Sequence, residues 1–117
     1  MWGVFLLTLT SWPSPPEVPA LSWIPNYDKL VHSLLYGVEG FLLYFAVAWR
    51  PGSRASWRRV LVIAGALAVF GTLDELHQLW IPGRSAEVGD AVMDTLGGMA
   101  GAAAALAVSR RRSAADA

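Results

Sequence analysis

Eight ionisable residues fall within or at the edges of three long apolar stretches: Asp28, His32, Glu39, Asp74, Glu75, His77, Asp90 and Asp94. A charged side chain inside a membrane span costs roughly 2.5–3.5 kcal/mol on insertion scales, and such groups usually face a bundle interior or a polar cavity. Their number in a chain of 117 residues points to a polar site built between helices. The residue types suit two kinds of chemistry. Carboxylates and imidazole act as general acid and base, and the same groups hold a divalent metal.

Spacing then places the groups. Asp28, His32, Tyr36 and Glu39 follow one another at intervals of 4, 4 and 3 residues, which is one helical stripe. Asp28 comes shortly after Pro25, where a helix N-cap is the structural reading. It also precedes His32 by one turn, so an orienting Asp28–His32 pair is expected. His32 reads as a satisfied core group, a metal ligand or a proton carrier. Glu39 lies about 13 Å beyond residue 30 by helical rise, near the bilayer midplane and level with Thr72 and Gly97-Gly98. A hydrogen bond from Glu39 to Thr72, or to backbone bared by the glycines, is expected, with a proton relay as the alternative.

In GTLDELHQ (71–78), Asp74 and Gln78 are i,i+4 while Glu75 and Gln78 are i,i+3. Adjacent carboxylates are not expected to share a face, so one should enter the bundle and the other should turn to the loop. Arg84 follows Pro82-Gly83, a turn signal, and can fold back onto Asp74 or Glu75 or grip an anionic headgroup in bidentate fashion. Lys29 is a second group suited to phosphate. Asp90 and Asp94, again i,i+4, open the last apolar stretch, with Asp90 a candidate cap. His32 and Glu75 are the central catalytic candidates. Asp28, Lys29, Gln78, Arg84, Asp90 and Asp94 are the candidate binding and supporting residues. A divalent metal is the cofactor class open to this set, with no particular ion indicated. No HExxH or compact nucleophile motif is present.

The elements that must hold these residues are helices in lipid. The chain is 55% hydrophobic and 15% charged, against about 25% charged in soluble domains. Zero net charge gives nucleic-acid binding no electrostatic support. The absence of cysteine excludes disulfides, thiolate metal sites and thiol catalysis. Residues 30–49, 60–79 and 91–108 form three spans, the last carrying Gly97-x-x-x-Gly101, a spacing that lets helices approach closely. Residues 1–10 are apolar, but ten helical residues rise only about 15 Å, half of a ~30 Å hydrocarbon core. They are either a half-span or the end of a helix that begins upstream, with a signal segment as the rival reading. Five of the seven prolines lie between 11 and 27, where tryptophans suit an interfacial loop.

Seven of the nine basic residues are Arg50, Arg54, Arg58, Arg59 and Arg110 to Arg112. The positive-inside rule therefore predicts both termini in the cytoplasm and the polar cluster at the outer ends of the helices. The expected fold is all-α: a polytopic membrane bundle of three full transmembrane helices plus a short, truncated-looking first helix. Residues 1–109 form the membrane domain, and 110–117 form a basic tail expected to be disordered.

Four motifs carry a resemblance. They are Asp28-Lys29-x-x-His32 with Tyr36 following, Asp74-Glu75-x-x-Gln78, Pro82-Gly83-Arg84-Ser85, and Asp90-x-x-x-Asp94-Thr95-x-Gly97. Together they span about residues 28–101. On these motifs the chain resembles the VanZ-like membrane proteins, named for a component of glycopeptide-resistance clusters associated with low-level teicoplanin resistance. Two positions depart from the pattern: Asp94 stands where asparagine is usual, and Glu39 where an apolar residue is usual. The resemblance implies a multi-helix protein of the bacterial cytoplasmic membrane and supplies no settled reaction.

Two functions of different classes follow. A binding protein would hold a membrane lipid headgroup, a lipid-linked cell-wall precursor or an amphiphilic glycopeptide. An enzyme would act on a lipid-linked or phosphate-bearing substrate through carboxylate and histidine, with or without a metal. A purely structural polar cluster and a small proton or ion conductor are the remaining readings.

Overall fold

The computed structural model describes residues 4, 8, 19–21, 23–48, 54–83 and 85–117. The expected first helix at 1–10, most of the proline-rich loop, Arg84 and the Asp28 side chain lie outside the described residues. Within them the structure is helical: a 3₁₀ turn at Pro19–Leu21, then α1 (Tyr27–Ala48), α2 (Trp57–Gln78) and α3 (Val88–Ala115). Each of the three helices is long and apolar enough to cross a membrane.

Each helix begins three residues before the apolar run that announced it, at Tyr27, Trp57 and Val88 rather than at 30, 60 and 91. The first turn of a helix holds polar groups easily, because its N–H groups are free and its dipole end is positive. The α1 start shows how. Asn26 adopts φ 55°, a left-handed conformation that asparagine tolerates, and its carbonyl accepts the Lys29 and Leu30 N–H groups at 3.1 and 3.3 Å. α3 also overruns its expected end. It continues through Arg110–Arg112 to Ala115, where a disordered tail was expected. Serine, arginine and alanine carry no helix breaker, and at 28 residues the helix is about 42 Å long, well beyond a ~30 Å hydrocarbon core.

The helices run up, down and up. α1 and α3 lie parallel and in close contact, because glycines from both meet there. A Cβ on Gly40 would strike the carbonyl of Gly98, and one on Gly101 would strike the carbonyl of Gly37. Small residues allow this backbone approach, which replaces the absent hydrophobic drive between helices in lipid. α2 runs antiparallel against α3, with Leu67 over Gly98. The apolar core lies toward the arginine-bearing end and includes Tyr36, Tyr44, Val60, Ile63, Leu67, Ala102, Ala105 and Leu106. The Arg59 guanidinium stacks 4.9 Å over the Tyr44 ring. Leu34, Val38, Leu42, Leu61, Val69 and Leu96 point outward, as lipid-facing side chains do.

Candidate functional site

Up-down-up topology brings three helix ends to one place: the start of α1, the end of α2 and the start of α3. These ends carry seven of the eight ionisable residues of the apolar stretches, all but Glu39. The cluster begins at the rim. Lys29 of α1 donates to the carboxylates of Glu87, at 2.7 Å, and Asp90, at 2.9 Å. Both acceptors belong to the entry of α3, so this ion pair fastens α1 to α3 at the mouth of the bundle. The pair is partly exposed, so solvent and salt screen it and it positions the helix ends more than it stabilises them.

One turn deeper, His32 Nδ1 and Asp94 Oδ1 are 3.0 Å apart. Asp94 is fully buried, 0% exposed. Asp94 thus orients His32 across the α1–α3 contact, while the expected partner Asp28 has its side chain outside the described residues. Gly71 of α2 makes room for this carboxylate: a Cβ there would lie 3.2 Å from Asp94 Oδ2 and 3.3 Å from Asp94 Cβ. Asp94 Oδ2 is buried and has no hydrogen-bond partner among the described residues.

α2 supplies Asp74, Glu75 and Gln78, all buried. Neither adjacent carboxylate is exposed, and the one that turns to the loop, as expected, is Glu75. Glu75 Oε2 accepts the Glu87 backbone N–H at 2.9 Å, which ties the loop to the helix. The Gln78 amide lies 3.5 Å from Asp74 Oδ2 and 3.4 Å from Glu75 Oε1, long and weak donor contacts. Gly83, with φ 80°, supplies the left-handed turn that lets the loop return. His77 is exposed and takes no part in the cluster.

His32, Glu75 and Asp94 each offer one ligand atom within 4.8 Å of the others. The structure thus brings together His32 and Glu75, the expected central pair, and adds Asp94 as a third member. Lys29 and Asp90 pair with each other at the rim, and Gln78 bridges toward Asp74 and Glu75. Two participants were not singled out in the sequence. Glu87 gives both its carboxylate and its backbone N–H, and its only signal is its position ahead of α3. Gly71 reads as a helix glycine until the neighbouring Asp94 is seen. Below the cluster, the Tyr36 hydroxyl and Glu39 Oε2 are buried without hydrogen-bond partners among the described residues. The expected Glu39–Thr72 bond is absent, because Thr72 faces outward and donates to its own helix, to the Ala68 carbonyl at 2.7 Å.

An apolar groove of about 370 Å³ runs down the outside of the α1–α3 contact from the level of this cluster. Ser33, Leu34, Gly37, Val38 and Phe41 line one wall, and Gly97, Ala100 and Gly101 line the other. The glycines that let the helices approach leave this surface hollow.

No curated protein and no solved structure shows a significant match to the chain. A family model described as VanZ/LLP1 matches residues 3–109. That range takes in α1, α2, α3 up to residue 109 and every residue of the polar cluster, and the chain belongs to the VanZ/LLP1 family.

Proposed function

We propose that this membrane protein binds an amphiphile, with its headgroup at the polar cluster and an acyl or prenyl chain in the groove between α1 and α3. The observation that carries this reading is that the groove begins on the same two helices within a turn of the cluster residues. Ser33, which opens the groove, directly follows His32, and Gly97 lies three residues beyond Asp94. A polar cluster one to two turns inside the helix ends lies at headgroup depth, and an apolar hollow continuing from it toward the membrane centre matches a lipid tail. A membrane phospholipid, a lipid-linked cell-wall precursor and an amphiphilic glycopeptide share this division of chemistry. The arginines at the opposite end of the bundle support an orientation with the cluster facing outward.

Native mass spectrometry of the full chain in detergent tests the reading. Wild-type protein should retain a lipid, and Ala100→Phe, which fills the groove from an exposed wall position, should retain at least tenfold less at equal folding. A clean protein mass for the wild type, or equal retention by Ala100→Phe, overturns it. The enzyme reading is favoured by one observation, the His32–Asp94 pair beside Glu75, which is an orienter–base arrangement. Conversion of the retained lipid by wild type and not by His32→Ala would establish that reading instead.

A further inference from the structure

We infer that His32, Glu75 and Asp94 form a binding site for one divalent transition-metal ion, of the zinc or manganese class, between the three helices.

The inference begins with geometry. One ligand atom from each residue lies within 4.8 Å of the other two. A six-coordinate ion with bonds of about 2.1 Å places adjacent ligand atoms ~3 Å apart and opposite ones ~4.2 Å apart, so side chains spanning up to 4.8 Å close by about half an ångström on the ion. The His32–Asp94 separation of 3.0 Å already equals the adjacent distance. Each ligand comes from a different helix, so the set is held by the packing of the bundle rather than by a loop.

The second observation is unsatisfied polarity. Asp94 is wholly buried, yet its Oδ2 has no hydrogen-bond partner among the described residues. The Tyr36 hydroxyl, 1% exposed, is in the same state. It stands one turn below His32 on α1 and within the electrostatic field of Asp94, Asp74 and Glu75. Buried polar atoms of native proteins are nearly always paired, and an orphan calls for a water or an ion. A metal-bound water donates hydrogen bonds, and both the Tyr36 oxygen and Asp94 Oδ2 can accept one.

Charge points the same way. Among the described residues the cluster gathers five carboxyl groups (Asp74, Glu75, Glu87, Asp90 and Asp94) around one ammonium, Lys29, and one imidazole, His32. Lys29 is engaged by Glu87 and Asp90 at the rim, and a divalent ion would add positive charge beside the buried Glu75 and Asp94. The donor set selects its class: one imidazole with two carboxylates suits zinc or manganese, whereas magnesium and calcium prefer oxygen alone. Metal binding stands without the lipid reading. Only the further step, in which the ion presents a positive site to a phosphate-bearing headgroup, rests on it.

Metal-stripped full-length protein in detergent, with no lipid added, is titrated with zinc chloride or manganese chloride and followed by calorimetry and elemental analysis. One ion per chain is expected. Asp94→Asn, which keeps the side-chain shape, should weaken binding at least tenfold, as should His32→Gln. His77→Ala, at an exposed residue outside the cluster, should bind as tightly as the wild type. Wild-type protein that takes up no stoichiometric zinc or manganese overturns the inference whatever the variants do. So does equal affinity in folded Asp94→Asn and His32→Gln. Lipid retention by metal-stripped protein is read separately, so either proposal can fail alone.

Discussion

Glu39 and His32 sit on the same face of α1, and their surroundings lead to opposite expectations. Glu39 Oε2 is buried with no hydrogen-bond partner among the described residues. Replacing such a group by an apolar one of similar size removes a desolvation cost and breaks no bond. Glu39→Leu should therefore leave the unfolding temperature in detergent unchanged or raise it, by up to about 1–2 kcal/mol of stability. A fall on thermal unfolding would show that Glu39 has a partner in the membrane and would revive the proton-relay reading. His32 is bonded to a buried carboxylate, and its removal should cost stability rather than add it. The sequence marked His32, Asp74, Glu75, Asp90 and Asp94, which the structure gathers at one end of the bundle, because ionisable groups in apolar runs stand out by cost alone. It did not reveal their partners. Spacing along one helix offered Asp28 to His32, a side chain outside the described residues, and equal depth offered Thr72 to Glu39, a bond that Thr72 forgoes for its own helix. Asp94 reaches His32 only through the rotation of α3 against α1, which packing sets and no local periodicity records.

At the scale of elements, glycines divide into those that carry contacts and those that do not. A Cβ on Gly97 would meet Ser33 backbone, and one on Gly101 would meet Gly37 backbone, neither of which can yield without separating α1 from α3. A Cβ on Gly65 would meet nothing within 4 Å. Gly97→Ala should thus destabilise the bundle by about 1–3 kcal/mol, the usual cost of overpacking. Gly65→Ala should be neutral or stabilising by up to about 1 kcal/mol, from helix propensity. Thermal unfolding of the two variants side by side checks the contrast, and equal effects would mean that α1 and α3 are not in backbone contact. Gly97-x-x-x-Gly101 was visible in the sequence as a packing motif, and the matching surface around Gly37 and Gly40 was not. The three spans were legible because twenty apolar residues in a row have few other uses. Their first turns were not, because polar N-terminal turns interrupt the apolar signal exactly where helix ends tolerate them.

For the whole molecule, the arrangement of charge decides which way the bundle faces. Arg54, Arg58 and Arg59 stand at the start of α2, and Arg110–Arg112 stand near the end of α3. Antiparallel packing of α2 on α3 puts both groups at the end opposite the His32–Glu75–Asp94 cluster. Positive residues are retained on the cytoplasmic side, so the cluster should open outward, where headgroups of the outer leaflet and cell-wall precursors would meet it. The chain has no cysteine, which makes the orientation directly measurable with single introduced thiols. Ser85 lies exposed in the loop beside the cluster, and Ser113 lies exposed in the last turns of α3. In intact bacterial cells, a membrane-impermeant maleimide should label Ser85→Cys, and it should label Ser113→Cys only after the membrane is opened. The reverse pattern would place the cluster in the cytoplasm. There it would meet a different set of amphiphiles, and an outward-facing role in glycopeptide or precursor binding would be untenable, while the metal site, which depends only on three side chains and their packing, would stand.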